Sequence, residues 1–232
     1  HYNALARAGI AVEFGDETAD LTGYRLVVVP MLYLLTDDFA KKLCDFAQNG
    51  GTVVVTYWTG VVDESDLCRL GDTPYGLTRL LGLRRTEIDG MYDGETRRCT
   101  PVPGCTLPEA QASILCEVAV PNDTDPAEPL SVYAEDYFAQ HPAVAVHKYG
   151  AGRAYYLASR FDEDFYRAFY RDAAKELGLL PAWQQPLPAG VLAVKRGSYV
   201  FVQNCTEQSV TVGESELPRY GTAVWNGAQR VL

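Results

Sequence analysis

The residues of this chain best suited by type and spacing to do chemistry are Asp63, Glu64 and Asp66, with Tyr57, Trp58 and Thr59 just ahead of them. Neighbouring carboxylates can divide acid and base work or share a cation, and an aromatic pair beside them can stack on a sugar. A solvated acidic loop following core or interface aromatics explains the same residues, so the composition of the segment leaves both readings open. The other acidic and glycine-rich runs have simpler explanations. Asp162-Glu163-Asp164 reads as a helix start whose dipole welcomes anions, and Gly150-Ala151-Gly152 as a hairpin turn, since no helix follows it to bind phosphate.

The elements that must hold the segment are well marked. Gly50-Gly51 ends one element, and Thr52 to Tyr57 is a β-branched run suited to a strand buried on both faces. The acidic loop leaves the carboxyl end of that strand, where ligands gather in open α/β sheets. Upstream, Ile10 to Phe14 and Arg25 to Pro30 read as strands. A helix follows, with Thr36 as cap, Asp37 and Asp38 in its first turn, and Phe39, Leu43 and Phe46 on one face. Strand, helix, strand at this spacing predicts a crossover unit with a parallel sheet and helices on both sides.

Farther along, Pro74 to Leu81 predicts a short helix stopped at Gly82, Leu83 to Ile88 a strand, and Gly90 to Glu109 a turn-rich stretch. Ile114 to Val120, Leu130 to Ala134, Ala143 to Lys148 and Ala154 to Ala158 read as strands, the last two joined by a hairpin that adds an antiparallel edge. An amphipathic helix spans about Asp162 to Leu177. Pro181, Pro186 and Pro188 then mark a boundary. Residues 1–180 are expected to form one domain, 181–188 a linker, and 189–232 a small antiparallel β domain with strands over Val191 to Val194, Tyr199 to Gln203, Ser209 to Val212 and Thr222 to Trp225.

Composition narrows the function classes. Thirty acidic against 20 basic residues, with no basic stripe, argue against a nucleic-acid partner, and no apolar run is long enough to span a membrane. Cys44, Cys68, Cys99, Cys105, Cys116 and Cys205 lack the spacing of a zinc site and are expected as reduced thiols, although Cys99 and Cys105 bracket a proline loop and could pair on oxidation. His1, His141 and His147 have no partner at metal-ligand spacing, so neither a metal nor a cofactor is expected. Asn122 and Asn204 head N-x-Thr sequons, which matter only in a glycosylating compartment. The opening His1 to Gly9 reads as the last turns of a helix, and the chain as a piece of a longer protein.

The α/β part resembles the three-layer, flavodoxin-like class I glutamine amidotransferase fold, with a mostly parallel sheet. Several proteins of that fold carry a nucleophilic cysteine on the turn after the strand equivalent to Thr52–Tyr57. Here the turn is Tyr57-Trp58-Thr59-Gly60, without a thiol, and Cys68 is a weak substitute.

A closer resemblance rests on Leu21-Thr22-Gly23-Tyr24-Arg25-Leu26-Val27-Val28-Val29-Pro30-Met31-Leu32-Tyr33-Leu34-Leu35, on Gly50 to Tyr57, on Gly60-Val61-Val62-Asp63-Glu64-Ser65-Asp66-Leu67, and on Lys148 to Tyr156. These segments are similar to the middle domain of the family 42 glycoside hydrolases, the bacterial β-galactosidases. The tail, with Tyr199 to Asn204, resembles that family's small C-terminal β domain more weakly. The resemblance implies a trimerisation region, silent by itself, of a cytoplasmic bacterial enzyme whose barrel holds the two catalytic glutamates of a retaining mechanism. It also implies a homotrimer, contact with that barrel, and galactoside met only through the parent. The segment Tyr57, Trp58, Thr59, Asp63, Glu64 and Asp66 then becomes a funnel or interface loop. A self-contained amidotransferase-like enzyme and a carbohydrate-binding module are the competing classes.

Overall fold

The computed structural model describes all residues except Pro186 and Ala228. It divides into two compact units, one of Gly15–Phe165 and one of His1–Phe14 with Tyr166–Leu232. The division falls inside the long C-terminal helix rather than at the proline-rich stretch, and Pro186 lies outside the described residues.

The chain opens with helix α1 (Tyr2–Arg7), closed by Gly9 at φ +72° and by amides of Gly9 and Ile10 bonded to the carbonyls of Ala6 and Leu5. The expected strand at Ile10–Phe14 is irregular instead. None of its five side chains is buried and Phe14 is largely exposed, so pairing there would bury too little apolar surface to hold a strand.

In the larger unit, β1 (Leu26–Val29), α2 (Asp37–Gln48) and β2 (Thr52–Thr56) form the predicted strand–helix–strand unit. Thr36 Oγ1 accepts from the Phe39 amide as the cap. The short helix α3 is only Thr78–Leu81, stopped by Gly82 in the left-handed region. Six strands complete the main sheet path: β3 (Leu83–Gly90), β4 (Thr96–Pro101), β5 (Ala110–Pro121), β6 (Glu128–Tyr133), β7 (Pro142–Tyr149) and β8 (Gly152–Leu157). A short β9 (Ser159–Phe161) pairs with β5 off that path.

The order is β1-β2-β8-β7-β6-β4-β5-β3. The pairs β1·β2 and β2·β8 are parallel, and each later pair is antiparallel. The parallel core is thus three strands wide, and the antiparallel extension is larger than a single edge. The hairpin at Gly150 explains the switch, because a tight turn after β7 forces β8 to return antiparallel to it. The stretch expected to be turn-rich contains β4, which was obscured by two arginines and a proline and buries only Cys99 fully. Ile114, at φ +73°, is the bulge at which β5 changes partner from β3 to β4.

Val53, Val54 and Val55 of β2 are fully buried, as a strand covered on both faces requires. Tyr133, Tyr156, Phe138 and Leu157 fill the neighbouring core.

In the smaller unit, α4 (Glu163–Glu176) contributes its part from Tyr166 onward, and Tyr170 shares a 2.7 Å hydrogen bond with His1 Nδ1. The strands β10 (Val191–Arg196), β11 (Tyr199–Asn204), β12 (Val210–Val212), β13 (Ser215–Leu217), β14 (Thr222–Asn226) and β15 (Gln229–Arg230) are all antiparallel. Val191, Ala193, Val202, Val212, Leu217, Ala223 and Trp225 make its core, with Trp183 edge-on to Trp225. Asn204 is buried beside them. Its amide donates to the carbonyls of Gln208 and Pro218 at 2.7 and 2.9 Å, and its oxygen accepts from Thr206 N and Oγ1. All six cysteines are free, including Cys99 and Cys105.

Backbone packing at the start of β8 gives a direct test. A Cβ at Gly152 would lie 2.5 Å from the Ala47 carbonyl oxygen and closer still to that of Gly51, with rigid backbone on both sides. Gly152→Ala is expected to destabilise the chain by about 1–3 kcal/mol in urea unfolding, the usual cost of overpacking.

Candidate functional site

The β-branched run of β2 ends at Thr56, and the chain then makes a sharp turn at the carboxyl end of the parallel strands. Tyr57 and Thr59 are buried, whereas Trp58 points outward with 39% of its surface exposed. Trp58 sits at φ +58°, a conformation unfavourable for a bulky residue unless its surroundings enforce it. This is the turn on which the amidotransferase-like resemblance would seat a nucleophile, and an indole occupies it. The Tyr33 ring stands edge-on to the Trp58 ring at 6.2 Å, so two exposed aromatics share the end of the sheet.

The strain is held from beneath by a buried carboxylate that sequence reasoning missed. The Trp58 amide donates to Glu117 Oε1 at 2.9 Å. Arg85 Nη1 donates to the same oxygen at 2.8 Å, and the Tyr156 hydroxyl to Oε2. Arg85 also reaches the Thr59 carbonyl oxygen, and the Tyr133 hydroxyl donates to the Glu117 and Ala158 carbonyls. Both Glu117 and the Arg85 guanidinium are buried. Burial pushes the Glu117 carboxyl above its ordinary range, with the Arg85 charge opposing it, and burial raises the Tyr156 hydroxyl well above its own. The pair is assembled across the ladder. Arg85 lies opposite Ala119, two residues from Glu117 on the same face of β5. One signal was legible, a charged Glu117 inside the apolar run Ile114 to Val120.

The acidic loop is built for shape. Asp63 accepts from the amides of Ser65 and Leu67 at 2.8 and 3.1 Å, and those bonds hold its carboxyl below the usual range. Asp66 takes φ +60° within that turn. Glu64 reaches Arg69 at 3.6 Å, and Arg69 also contacts Asp37 at 3.0 Å and the Leu35 carbonyl while lying over the Tyr75 ring. The amides of Gly60 and Val61 bond the carbonyls of Leu32 and Tyr33, fastening the loop to the segment after β1. The structure therefore brings Trp58, Tyr33 and the loop to one end of the sheet, with the Asp63 carboxylate bonded inside its own turn and the Glu64 carboxylate paired with Arg69.

Thiol chemistry finds no support among the buried cysteines. Burial pushes Cys99 up to about 12 and Cys116 up to about 11, far from the thiolate a nucleophile needs. Cys68 is exposed, outside the turn. Among the described residues no group of three or more His, Cys, Asp or Glu side chains is disposed to hold a metal, and no helix is long and apolar enough to cross a membrane.

Two outcomes check this geometry. Arg85→Met strands a buried carboxylate and is expected to cost about 3–5 kcal/mol in urea unfolding. The loss should steepen as pH rises above the ordinary glutamate range, because a folded-state pKa raised above the unfolded one makes ionisation the destabilising event. In the loop, Asp63→Ala is expected to speed amide exchange at Ser65 and Leu67 by about tenfold, while Asp63→Asn keeps the acceptor and most of the protection. Since the Asp63 carboxyl is lowered, its wild-type contribution is present above the ordinary carboxylate range and is lost as pH falls.

Comparison with known proteins agrees with this architecture. A profile of the β-galactosidase trimerisation domain matches residues 1–180. The chain is 40% identical to the β-galactosidase BglY of Alicyclobacillus acidocaldarius, covering 100% of this chain and 35% of that protein. It is 34% identical to the β-galactosidase Pbg of Clostridium perfringens, over 94% of this chain and 32% of that one. Among solved structures, the cold-adapted β-galactosidase of Rahnella sp. R3 superposes with a TM-score of 0.87 at 37% identity, covering 96% of this chain and 35% of its own. Gan42B of G. stearothermophilus, a family 42 β-galactosidase, does so with a TM-score of 0.84 at 30% identity, covering 96% of this chain and 34% of its own. The chain spans about a third of the length of the curated relatives it matches. It belongs to the trimerisation-domain family of the family 42 β-galactosidases.

Proposed function

We propose that this chain is the assembly region, without catalytic residues of its own, of a retaining β-galactosidase that hydrolyses terminal β-D-galactosides. On this reading a catalytic barrel elsewhere in the parent supplies both glutamates, and the parent works as a homotrimer. Its setting is the bacterial cytoplasm, a reading with which six free thiols agree. The smaller unit's β-strands act as the accompanying C-terminal β domain.

The observation that carries the proposal is the exposed Trp58 on a rigid, left-handed turn at the carboxyl end of the parallel strands. A rigid aromatic loses little side-chain entropy when covered, and such residues dominate interface energetics. Trp58 with Tyr33 forms the contact against the barrel of its own or a neighbouring subunit. Tyr57 and Thr59 set the turn beneath, and Asp63, Glu64 and Asp66 keep the flanking loop in shape as a wall of the substrate funnel.

In the full-length enzyme, Trp58→Ala is expected to lower kcat/KM on an aryl β-galactoside, or to weaken the trimer, by about tenfold, equal to about 1.4 kcal/mol. Glu64→Ala is expected to have a smaller effect in the same direction. Unchanged kinetics and an intact trimer in both variants would reject the loop's role. Sedimentation of the 232-residue chain tests assembly separately. A trimer places the whole contact here, and a monomer at high concentration means the barrel supplies part of it.

A further inference from the structure

His147 lies on β7 and is 4% exposed. Its Nδ1 is 2.9 Å from the Leu80 carbonyl oxygen. A carbonyl only accepts, so Nδ1 carries the ring proton and a neutral ring presents a bare lone pair at Nε2. Nε2 is buried and has no hydrogen-bond partner. What it faces is a carboxylate oxygen, Asp125 Oδ2, 3.3 Å away.

Two lone pairs at that separation repel unless a cation lies between them. A proton on Nε2 would make an ion pair with Asp125 at this distance, but the two atoms do not meet the geometry of a hydrogen bond, so the contact gives that proton no directed acceptor. A metal ion requires no straight line between its donors. With bonds of about 2.1 Å to nitrogen and oxygen, donors this far apart subtend roughly 104° at the ion, close to the tetrahedral angle. A backbone carbonyl holding the other ring N–H is also the arrangement that fixes the tautomer of a metal-binding histidine.

The surroundings leave room for the rest of a coordination shell. His147 and Asp125 border a cavity of about 400 Å³ that Glu128, Lys148 and Arg153 also line. The Asp125 side chain is largely exposed, and its backbone sits at φ +59° immediately before Pro126. Sequence spacing hid the pair, whose members stand 22 positions apart on a loop and a strand.

We propose that His147 Nε2 and the Asp125 carboxylate form a two-donor site for a divalent transition-metal ion, with water completing the shell and imidazole favouring Zn²⁺ over Ca²⁺ or Mg²⁺. The site is independent of the proposed role of Trp58.

Calorimetric titration of the metal-free chain with Zn²⁺ in a non-coordinating buffer tests it. All samples carry His1→Ala, since a terminal histidine with its free amine chelates metal unaided. One equivalent of Zn²⁺ is expected to bind, with affinity reduced by about tenfold or more in Asp125→Asn, a change at an exposed side chain that leaves the fold intact. Density at the Zn²⁺ absorption edge between Nε2 and Oδ2 would place the ion. No binding, or equal binding in Asp125→Asn, would overturn the proposal. So would an imidazolium–carboxylate pair only, in which Asp125→Asn changes the pH dependence of melting and Zn²⁺ changes nothing.

Discussion

The larger unit depends on one buried carboxylate. Glu117 is the point at which β2, β3, β5 and β8 are tied by side chains as well as by their ladder: it takes hydrogen bonds from the turn after β2, from Arg85 of β3 and from Tyr156 of β8. Removing a carboxylate and a guanidinium from water is costly, and the arrangement stands because each charge has a partner with well-placed donors. What this secures is geometry. A left-handed tryptophan at an exposed turn would relax into a commoner conformation if its amide were not captured from below.

Much of the architecture could be read in the chain because local chemistry and tertiary placement agree there. Thr36, Asp37 and the Gly50-Gly51 stop delimit α2, and the unbroken valines of β2 require cover on both faces. Legibility failed where long-range pairing overrides local pattern. β4 carries arginines and a proline that read as loop, yet β5 and β6 recruit it from either side. Ile10–Phe14 has strand-forming residues but buries none of them.

The site was legible in location and misleading in emphasis. A carboxylate-rich loop after a buried strand drew attention to Asp63, Glu64 and Asp66, whereas the structure spends Asp63 on its own turn and ties Glu64 to Arg69. The residue of consequence was Glu117, whose partners come from positions 32 and 39 residues away. No spacing rule reaches that far, although a lone acid in an apolar strand is a signal that burial needs a partner.

Asn204 heads an N-x-Thr sequon, and its side-chain nitrogen is the atom that a glycosyltransferase would modify. In the folded smaller unit that nitrogen is buried and donates to the Gln208 and Pro218 carbonyls. A sugar attached before folding would therefore take one of the two N–H donors with which this nitrogen joins the turn after β11 to the one after β13, and would wedge bulk into the floor of a small core. Produced through a eukaryotic secretory route, the chain would face a race between folding and modification at this asparagine, and molecules that lost it would be expected to be retained by quality control rather than exported.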